Sequence, residues 1–445
     1  MYDYQAIIIG FGKAGKTLAA FLAGQGWRVA MVEASAQMYG GTCINIGCIP
    51  TKTLVHDAEL HGPGEQAFSQ AMARKRQVTG LLREKNYQNL AGLEQVTVID
   101  GRAEFIDPHR ISVQGAAGTQ VLSGERIFIN TGAVSRWPAI DGLDRSQRSY
   151  DSTGLLQLTQ RPARLGIIGG GYIGLEFASM FAQFGCAVTV FEEADALLGR
   201  EDRDMAQAIQ QILSDAGVSF TFNAGVKQVR DVEGGVEVVH QGGVQSFDAL
   251  LVAAGRAPNT AGLQLARAGV ETDERGAVRV DAQLRSSVPH IWALGDVNGG
   301  PQFTYISLDD FRIVRDSLFG AGKRSTADRG AVPYSVFITP SFSRIGLSED
   351  QARQQGRDIK VATLPAAAIP RARVLGDTRG LLKAVVDTQT GQILGVALLC
   401  RDAHEIINIV KTAMDAGLPY TRLRDQLFTH PTMSESLNDL FGLIG

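Results

Sequence analysis

Cys43 and Cys48 stand five residues apart in the run GGTCINIGCIPTK, with Gly40, Gly41 and Gly47 around them. In an ideal α-helix the axial rise between such positions is about 7.5 Å, more than the roughly 4.4 to 6.8 Å between Cα atoms that a disulfide permits. A bridge between them therefore requires a distorted turn, and the three glycines supply the freedom for one. A disulfide held in such a turn is strained and easily reduced, which suits catalysis better than structure. Two other readings compete. A metal site would draw on His56 and His61, but their spacing matches no standard zinc pattern. Two inert buried thiols would leave a glycine-flanked pair beside a nucleotide motif unexplained. Cys186 and Cys400 sit alone in apolar strand contexts and read as packing residues.

The elements that would position this chemistry occur twice. YQAIIIGFGKAGKTLAAFLAGQGWRVAMVE and RLGIIGGGYIGLEFASMFAQFGCAVTVFE each read as an apolar strand, a glycine turn, an amphipathic helix and a second strand ending in an acid. Gly10, Gly12 and Gly15 serve the first unit and Gly169, Gly171 and Gly174 the second. Glu33 follows Gly10 by 23 residues, and Glu192 follows Gly169 by the same 23. The first glycine of such a motif permits the tight turn, the second lets the backbone approach a pyrophosphate, and the third lets helix and strand pack closely. The helix N-terminus then offers N–H groups to the anion. Glu33 and Glu192 are expected on ribose hydroxyls. FEEADALLGR places no Arg beside the end of the second strand to neutralise a 2′-phosphate, so NADH is expected over NADPH at the second site.

At 445 residues the chain has room for about three domains, each with its own core. Lys and Arg total 43 against 46 Asp and Glu, a net charge of -3, with no basic run that would serve as a nucleic-acid footprint. The 51 glycines exceed the usual share of about 7% and imply many tight turns. No stretch reaches the roughly 18 uninterrupted apolar residues of a membrane span. MYDYQAIIIGFGKAG carries Asp3 where a signal peptide has basic residues, and reads as a buried strand. Few, unevenly spaced cysteines fit a reducing compartment, so a cytoplasmic location is expected.

FDALLVAAGRAPN and VPHIWALGDV each read as a strand ending at a glycine turn. From about Val332 the texture changes to the strands YSVFITP, LLKAVVD and ILGVALLC and the amphipathic run AHEIINIVKTAMDAG, an α+β domain. The segment FGAGKRSTADRGAVP reads as the linker before it. The expected fold class is α/β, with two Rossmann-like dinucleotide-binding domains and a C-terminal α+β domain.

GGTCINIGCIPTK, the two nucleotide units, the ALGD segment and HPTMSE together closely resemble the class I pyridine nucleotide-disulfide oxidoreductases, over nearly the whole chain. That resemblance implies FAD on the first unit and NAD on the second, and a C-terminal domain for homodimerisation. The implied division is 1–149 and 263–330 for FAD, 150–262 for NAD and 331–445 for the dimer interface. Gly10, Gly12, Gly15 and Glu33 would hold the ADP moiety of FAD and Asp296 its ribitol, with Thr42, Thr131, Gly132 and Gly255 as further cofactor-binding positions. Lys52 would pair with Glu176 near the flavin N5. Cys48 would be the flavin-side thiol, forming a charge-transfer pair, and Cys43 the interchange thiol that attacks substrate. His430, oriented by Glu435 and supplied by the partner subunit, would be its general acid/base.

Within the family, dihydrolipoamide dehydrogenases usually carry a histidine where this chain has Phe428, and mercuric reductases carry a C-terminal cysteine pair, whereas none of the ten residues after Glu435 is a cysteine. GGTCINIGCIPTKTLVHDA, QFTYISLDDFRIVRD, AAIPRARVLGDTRG and LRDQLFTHPTMSESLNDLF are most similar to the reactive-chlorine-resistance flavoproteins of bacteria. That branch implies NADH-dependent reduction of hypothiocyanous acid or Cu(II), with no structural metal and at most a transient copper at Cys43 and Cys48. A dihydrolipoamide dehydrogenase-like or other small-disulfide reductase is the alternative.

Overall fold

The computed structural model describes residues 1–444. The chain groups into two compact units: residues 1–53, 70–136 and 255–329 form one, and residues 54–69, 137–254 and those from 330 onward form the other.

In the first unit, β1 (Tyr4–Ile9) leads through Gly10 into α1 (Lys13–Gly24) and back along β2 (Val29–Glu33). Ala6 to Ile9 and Val29 to Val32 are buried without alternation, as strands covered on both faces must be. The sheet runs Val96–Asp100, β2, β1, Gly118–Ile129, with Ile291–Ala293 paired parallel to the last of these. Strand Gly118–Ile129 also closes an antiparallel meander with Arg110–Gly115 and Arg102–Asp107. Helix α1 buries Ala14, Leu18, Ala19 and Leu22 in a core shared with Phe311, Ile313 and Val314 of helix Thr304–Phe319.

Register decides what this sheet presents. Ile9 and Ala293 both pair with Ile129, so three parallel strands stop at one level. The loops that begin there carry Gly10, Asn130 to Gly132, and Gly295 with Asp296. Loops at the carboxyl ends of parallel strands form the ligand crevice of such sheets.

The second unit repeats the device. Strands Val218–Thr221, Ala187–Phe191, Arg164–Ile168, Ala249–Val252 and Ser149–Tyr150 form a parallel sheet in that order, and Ile168 pairs with both Phe191 and Val252. A three-stranded antiparallel sheet, Gln228–Val232, Gly235–His240 and Gly243–Phe247, packs its apolar face into the same core. Beyond residue 330 a five-stranded antiparallel sheet carries helix Ala403–Asp415, whose Ile406, Ile407, Val410 and Ala413 are buried against it.

The segment read as a linker is anchored over its first part. Arg324 donates to Asp309 at 2.9 Å, and Arg329 donates to Asp309 at 2.9 Å and to the fully buried Asp310. Among the described residues no helix is long and apolar enough to cross a membrane.

Candidate active site

The stretch between the two cysteines is not one helix. A one-turn helix α2 (Thr42–Asn45) ends at Ile46, and α3 (Cys48–His61) starts two residues later. Pro50 explains the break: in a continuous helix its ring would collide with the Ile46 carbonyl and it has no N–H to give, whereas in the first turn of α3 neither matters. Gly41, at φ 80°, caps α2, and a Cβ there would lie 2.7 Å from the Gly12 Cα. The cysteine turn thus sits directly on the first glycine loop, and only glycine fits the approach.

Each cysteine consequently lies in the first turn of its own helix. Both are free thiols, Cys48 exposed and Cys43 half-buried. A hydrogen bond between the two sulfurs, donated by Cys43, lowers the Cys48 thiol to about 6, against the opposing effect of burial; the Thr304 hydroxyl, Lys52 and the Cys48 amide add to the lowering. The same hydrogen bond, with burial, pushes Cys43 above the ordinary thiol range. Lys16 acts in the opposite sense on Cys43, and burial brings the Lys16 ammonium down to about 8. The pair is therefore polarised, with one sulfur ready to be a thiolate and the other holding the proton. By contrast, burial raises Cys186 to about 11 and Cys400 to about 12, as packing residues require.

In the first glycine loop, Cβ atoms at Gly10 and Gly12 would each approach Asn130 to 2.4 Å, and one at Gly15 would meet the Gly10 carbonyl at 2.7 Å. Asn130 accepts from the Gly15 N–H at 2.9 Å and donates to the Leu294 carbonyl at 2.6 Å, locking two loops of the crevice together. Glu33 is buried, which pushes its carboxyl up, and accepts from the Phe11 and Ser35 amides. Across the crevice Thr131 donates to the Asn259 carbonyl at 2.7 Å, and Asn259 N–H donates to the Gly132 carbonyl at 2.9 Å. Gly132 and Gly255 have positive φ, 73° and 104°, which explains the residue type there. Burial raises Asp296, with Arg256 opposing. The N-cap of helix α1 is Gly12, which has no side chain to cap it; the Ala14 and Gly15 amides of its first turn donate to Ser307 and Asn130, and the close-packed glycine loop in front of it fits a dinucleotide flavin.

The second loop offers a sharper test. Gly169, at φ 107°, and Gly174 are required by the chain itself, because Cβ atoms there would lie 2.6 Å from the Ala253 carbonyl and 2.0 Å from the Gly169 carbonyl. Gly171 is different: its φ of -78° suits any residue, and a Cβ would meet nothing within 4 Å. Nothing inside the molecule demands glycine there, so the missing side chain leaves room for something outside it, as a pyrophosphate needs. Glu192 accepts from Gly170 and Ala194 amides at 2.7 and 3.0 Å, the same arrangement that Glu33 makes with Phe11 and Ser35. Each carboxylate oxygen still has a lone pair for a ribose hydroxyl. Sequence reasoning saw the acids as ribose ligands only and missed that they also brace the loops.

Lys52 belongs to the first unit and Glu176 to the second, where it is buried and accepts from the Phe337 amide at 2.8 Å. His430 and Glu435 lie in a loop before helix Ser436–Gly442. The His430 Nδ1 and Glu435 Oε2 are 2.8 Å apart, with the imidazole 70% exposed and the carboxylate 15% exposed. Thr432 donates its N–H to Glu435 Oε1 and accepts from the Glu435 N–H, so the carboxylate is fixed and the ring faces outward. Phe428 packs against the C-terminal core.

Asn130 carried no sequence signal; Lys16 follows Gly15 in the first glycine unit and Thr304 lies in QFTYISLDDFRIVRD, but neither residue type pointed to a cysteine far away in the chain. Among the described residues no group of three or more His, Cys, Asp or Glu side chains is placed to hold a metal ion.

A nucleotide loop with a polarised thiol pair packed onto it is how an enzyme couples nucleotide oxidation to disulfide chemistry, and the chain belongs to the pyridine nucleotide-disulphide oxidoreductase family. The family model matches residues 4–310, and the family's dimerisation domain matches residues 332–441. It is therefore an oxidoreductase that uses a flavin and a pyridine nucleotide, with two Rossmann-like domains and a C-terminal dimerisation domain. Over its whole length it is 59% identical to the full length of "probable pyridine nucleotide-disulfide oxidoreductase RclA" of Escherichia coli (strain K12). A mercuric reductase of Lysinibacillus sphaericus is 33% identical over 98% of this chain and 81% of its own. A solved structure, the Cu(II) complex of the HOCl-induced flavoprotein disulfide reductase RclA from Escherichia coli, superimposes with a TM-score of 0.97 over 100% of both chains at 59% identity.

Proposed function

We propose that this protein passes electrons from NADH through FAD and a Cys43–Cys48 disulfide to a small oxidant, hypothiocyanous acid or Cu(II), and protects the cytoplasm against reactive chlorine and related oxidative stress. The observation that carries this reading is the polarised thiol pair seated on the first glycine loop, in a chain similar throughout to an HOCl-induced flavoprotein disulfide reductase solved as its Cu(II) complex.

A bound FAD would supply the two-electron acceptor that connects NADH to the disulfide. Gly10, Gly12, Gly15 and Glu33 would hold its ADP part, and Thr42, Thr131, Gly132 and Asp296 the remainder. Gly169, Gly171, Gly174 and Glu192 would hold the nicotinamide dinucleotide, and Glu192 would repel a 2′-phosphate. These assignments follow the functional division 1–149 and 263–330, 150–262, and 331–445.

Cys43, as thiolate, attacks the electrophilic sulfur of hypothiocyanous acid; a sulfur–sulfur bond forms and the hydroxyl leaves as water with one proton. Cys48 then attacks the Cys43 sulfur, thiocyanate leaves, and the disulfide closes. With copper, two Cu(II) ions take one electron each, the dithiol becomes disulfide, and two protons are released; soft thiolates favour the Cu(I) formed. His430 takes the Cys43 proton across a homodimer interface. Glu435 accepts from Nδ1–H, which leaves Nε2 as the base.

The test is anaerobic stopped flow. The FAD-loaded protein is reduced with one equivalent of NADH, and its long-wavelength absorbance is followed on adding hypothiocyanous acid, Cu(II) or lipoamide. Loss of absorbance at a rate proportional to either oxidant, and not with lipoamide, supports the reading. Persistence with both oxidants and loss with lipoamide would replace it with a dihydrolipoamide dehydrogenase-like activity.

A further inference from the structure

The three carbonyls that lead into the cysteine turn are each held by a side chain. Asn45 Nδ2 donates to the Tyr39 and Gly41 carbonyls, both at 2.9 Å. Lys16 Nζ donates to the Gly40 carbonyl at 3.3 Å and to Asn86 Oδ1 at 2.5 Å. Arg83 Nε donates to Asn45 Oδ1 at 2.8 Å, and its Nη1 bonds Gln37 Oε1. Arg83 and Asn86 are three residues apart on helix Glu65–Ala91, hence on one face, and Asn86 Nδ2 is itself tied to the Leu82 carbonyl at 2.7 Å. One helix thus grips the turn by two arms, Arg83 through Asn45 and Asn86 through Lys16.

The grip matters because of what it holds. Gly40 and Gly41 have φ of 93° and 80°, and glycine has more conformations to lose than any other residue. Free of its donors, the segment before Cys43 would wander. Reducing the disulfide takes two electrons and two protons and yields two thiols, and the reverse step depends on how often the thiols are within bonding reach.

We infer that Arg83, Asn86 and Lys16 are positioning residues that hold Cys43 within reach of Cys48 and thereby set the reduction potential of the couple. The inference rests on the proposed catalytic role of that couple. Loosening either arm lowers the effective concentration of one thiol at the other and makes the disulfide easier to reduce.

The experiment equilibrates the flavin-loaded, full-length protein with reduced and oxidised dithiothreitol, whose thiols and cyclic disulfide exchange two electrons and two protons with the couple. Alkylation and mass spectrometry then read the dithiol fraction at Cys43 and Cys48. Arg83→Met and Asn86→Leu should each move the equilibrium at least about tenfold toward dithiol, about 30 mV. Arg83→Lys, which keeps a donor, should restore most of it and serves where Arg83→Met folds poorly. Adding Arg83→Met to Asn45→Ala should change little, because Arg83 acts through Asn45. Variants that all stay within about twofold of the parent, with only thermal stability altered, would overturn the clasp alone. A parent protein that forms no Cys43–Cys48 disulfide in oxidising buffer would overturn the couple and the clasp together.

Discussion

The Thr304 hydroxyl and the Cys48 sulfur lie 3.6 Å apart although 256 residues separate them in the chain. Thr304 opens helix Thr304–Phe319 and Cys48 opens α3, so two helix starts converge on one sulfur. The Cys48 thiol is lowered to about 6 chiefly by its hydrogen bond from Cys43, and the Thr304 hydroxyl, which favours the charged form when it donates to a thiolate, adds to that lowering.

In the reduced protein Cys48 should therefore be thiolate above about pH 6, and its ultraviolet thiolate absorbance and alkylation rate should fall together as pH drops through that value. The stabilisation this lends the folded, reduced state is complete above the ordinary thiol value of 9.0 and is lost as pH falls to about 6. Thr304→Val should move the midpoint up by about one unit, against 1.36 kcal/mol per unit. A midpoint that does not move would remove Thr304 from the account.

Cys43→Ser should leave the flavin reducible by NADH and abolish turnover with hypothiocyanous acid. Steady-state assay beside an anaerobic NADH titration separates the two. Turnover equal to the parent would mean that electrons bypass the thiols.

Gly171→Ala and Gly169→Ala should part company. Calorimetric unfolding of Gly171→Ala should shift by less than about 1 kcal/mol, since no atom opposes the new methyl, while its KM for NADH rises. Gly169→Ala, at φ 107° and facing the Ala253 carbonyl, should lose about 2 kcal/mol or more. A destabilised Gly171→Ala with an unchanged KM would contradict the reading of that glycine as ligand room.

Glu192→Gln keeps an acceptor for only one of the two loop N–H groups, so the Gly170 and Ala194 amides cannot both stay paired, and it removes the charge that a 2′-phosphate would meet. The ratio of kcat/KM for NADH over NADPH should fall by about tenfold, about 1.4 kcal/mol. An unchanged ratio would place nucleotide discrimination elsewhere.

His430→Gln should lower kcat with the oxidant by about 10²-fold or more, and Glu435→Gln by less, because it disturbs the orientation of the base and not the base itself. Reduction of the flavin by NADH, measured in the same preparations, should be untouched. Equal loss in both half-reactions would point to damage of the fold.

Much of this is legible in the amino-acid sequence. The glycines at 10, 12 and 15 and at 169, 171 and 174, the acids 23 residues on, and the strand–helix–strand rhythm are local facts, written within a few turns of chain. Backbone sterics and helix periodicity act over that range, so residue type and spacing suffice to declare them. The cysteine turn was half legible: its glycines announced a distortion, and Pro50 is the residue that enforces the break between α2 and α3.

What the tertiary structure alone decided is who stands next to whom across long separations. Asn130 reaches the first glycine loop because Ile9 pairs with Ile129, a register no local pattern states. Arg83 and Asn86 are unremarkable in sequence, and they and Thr304 become neighbours of the cysteine turn only when the sheet, helix Thr304–Phe319 and the long helix Glu65–Ala91 are packed. Gly171 and Gly174 look alike as letters, yet one is demanded by a carbonyl 2.0 Å away and the other by nothing within the chain. Local sterics determine which turns the backbone can make; the packing of distant elements determines which polar atoms end up facing the two sulfurs, and so how readily one of them becomes a thiolate.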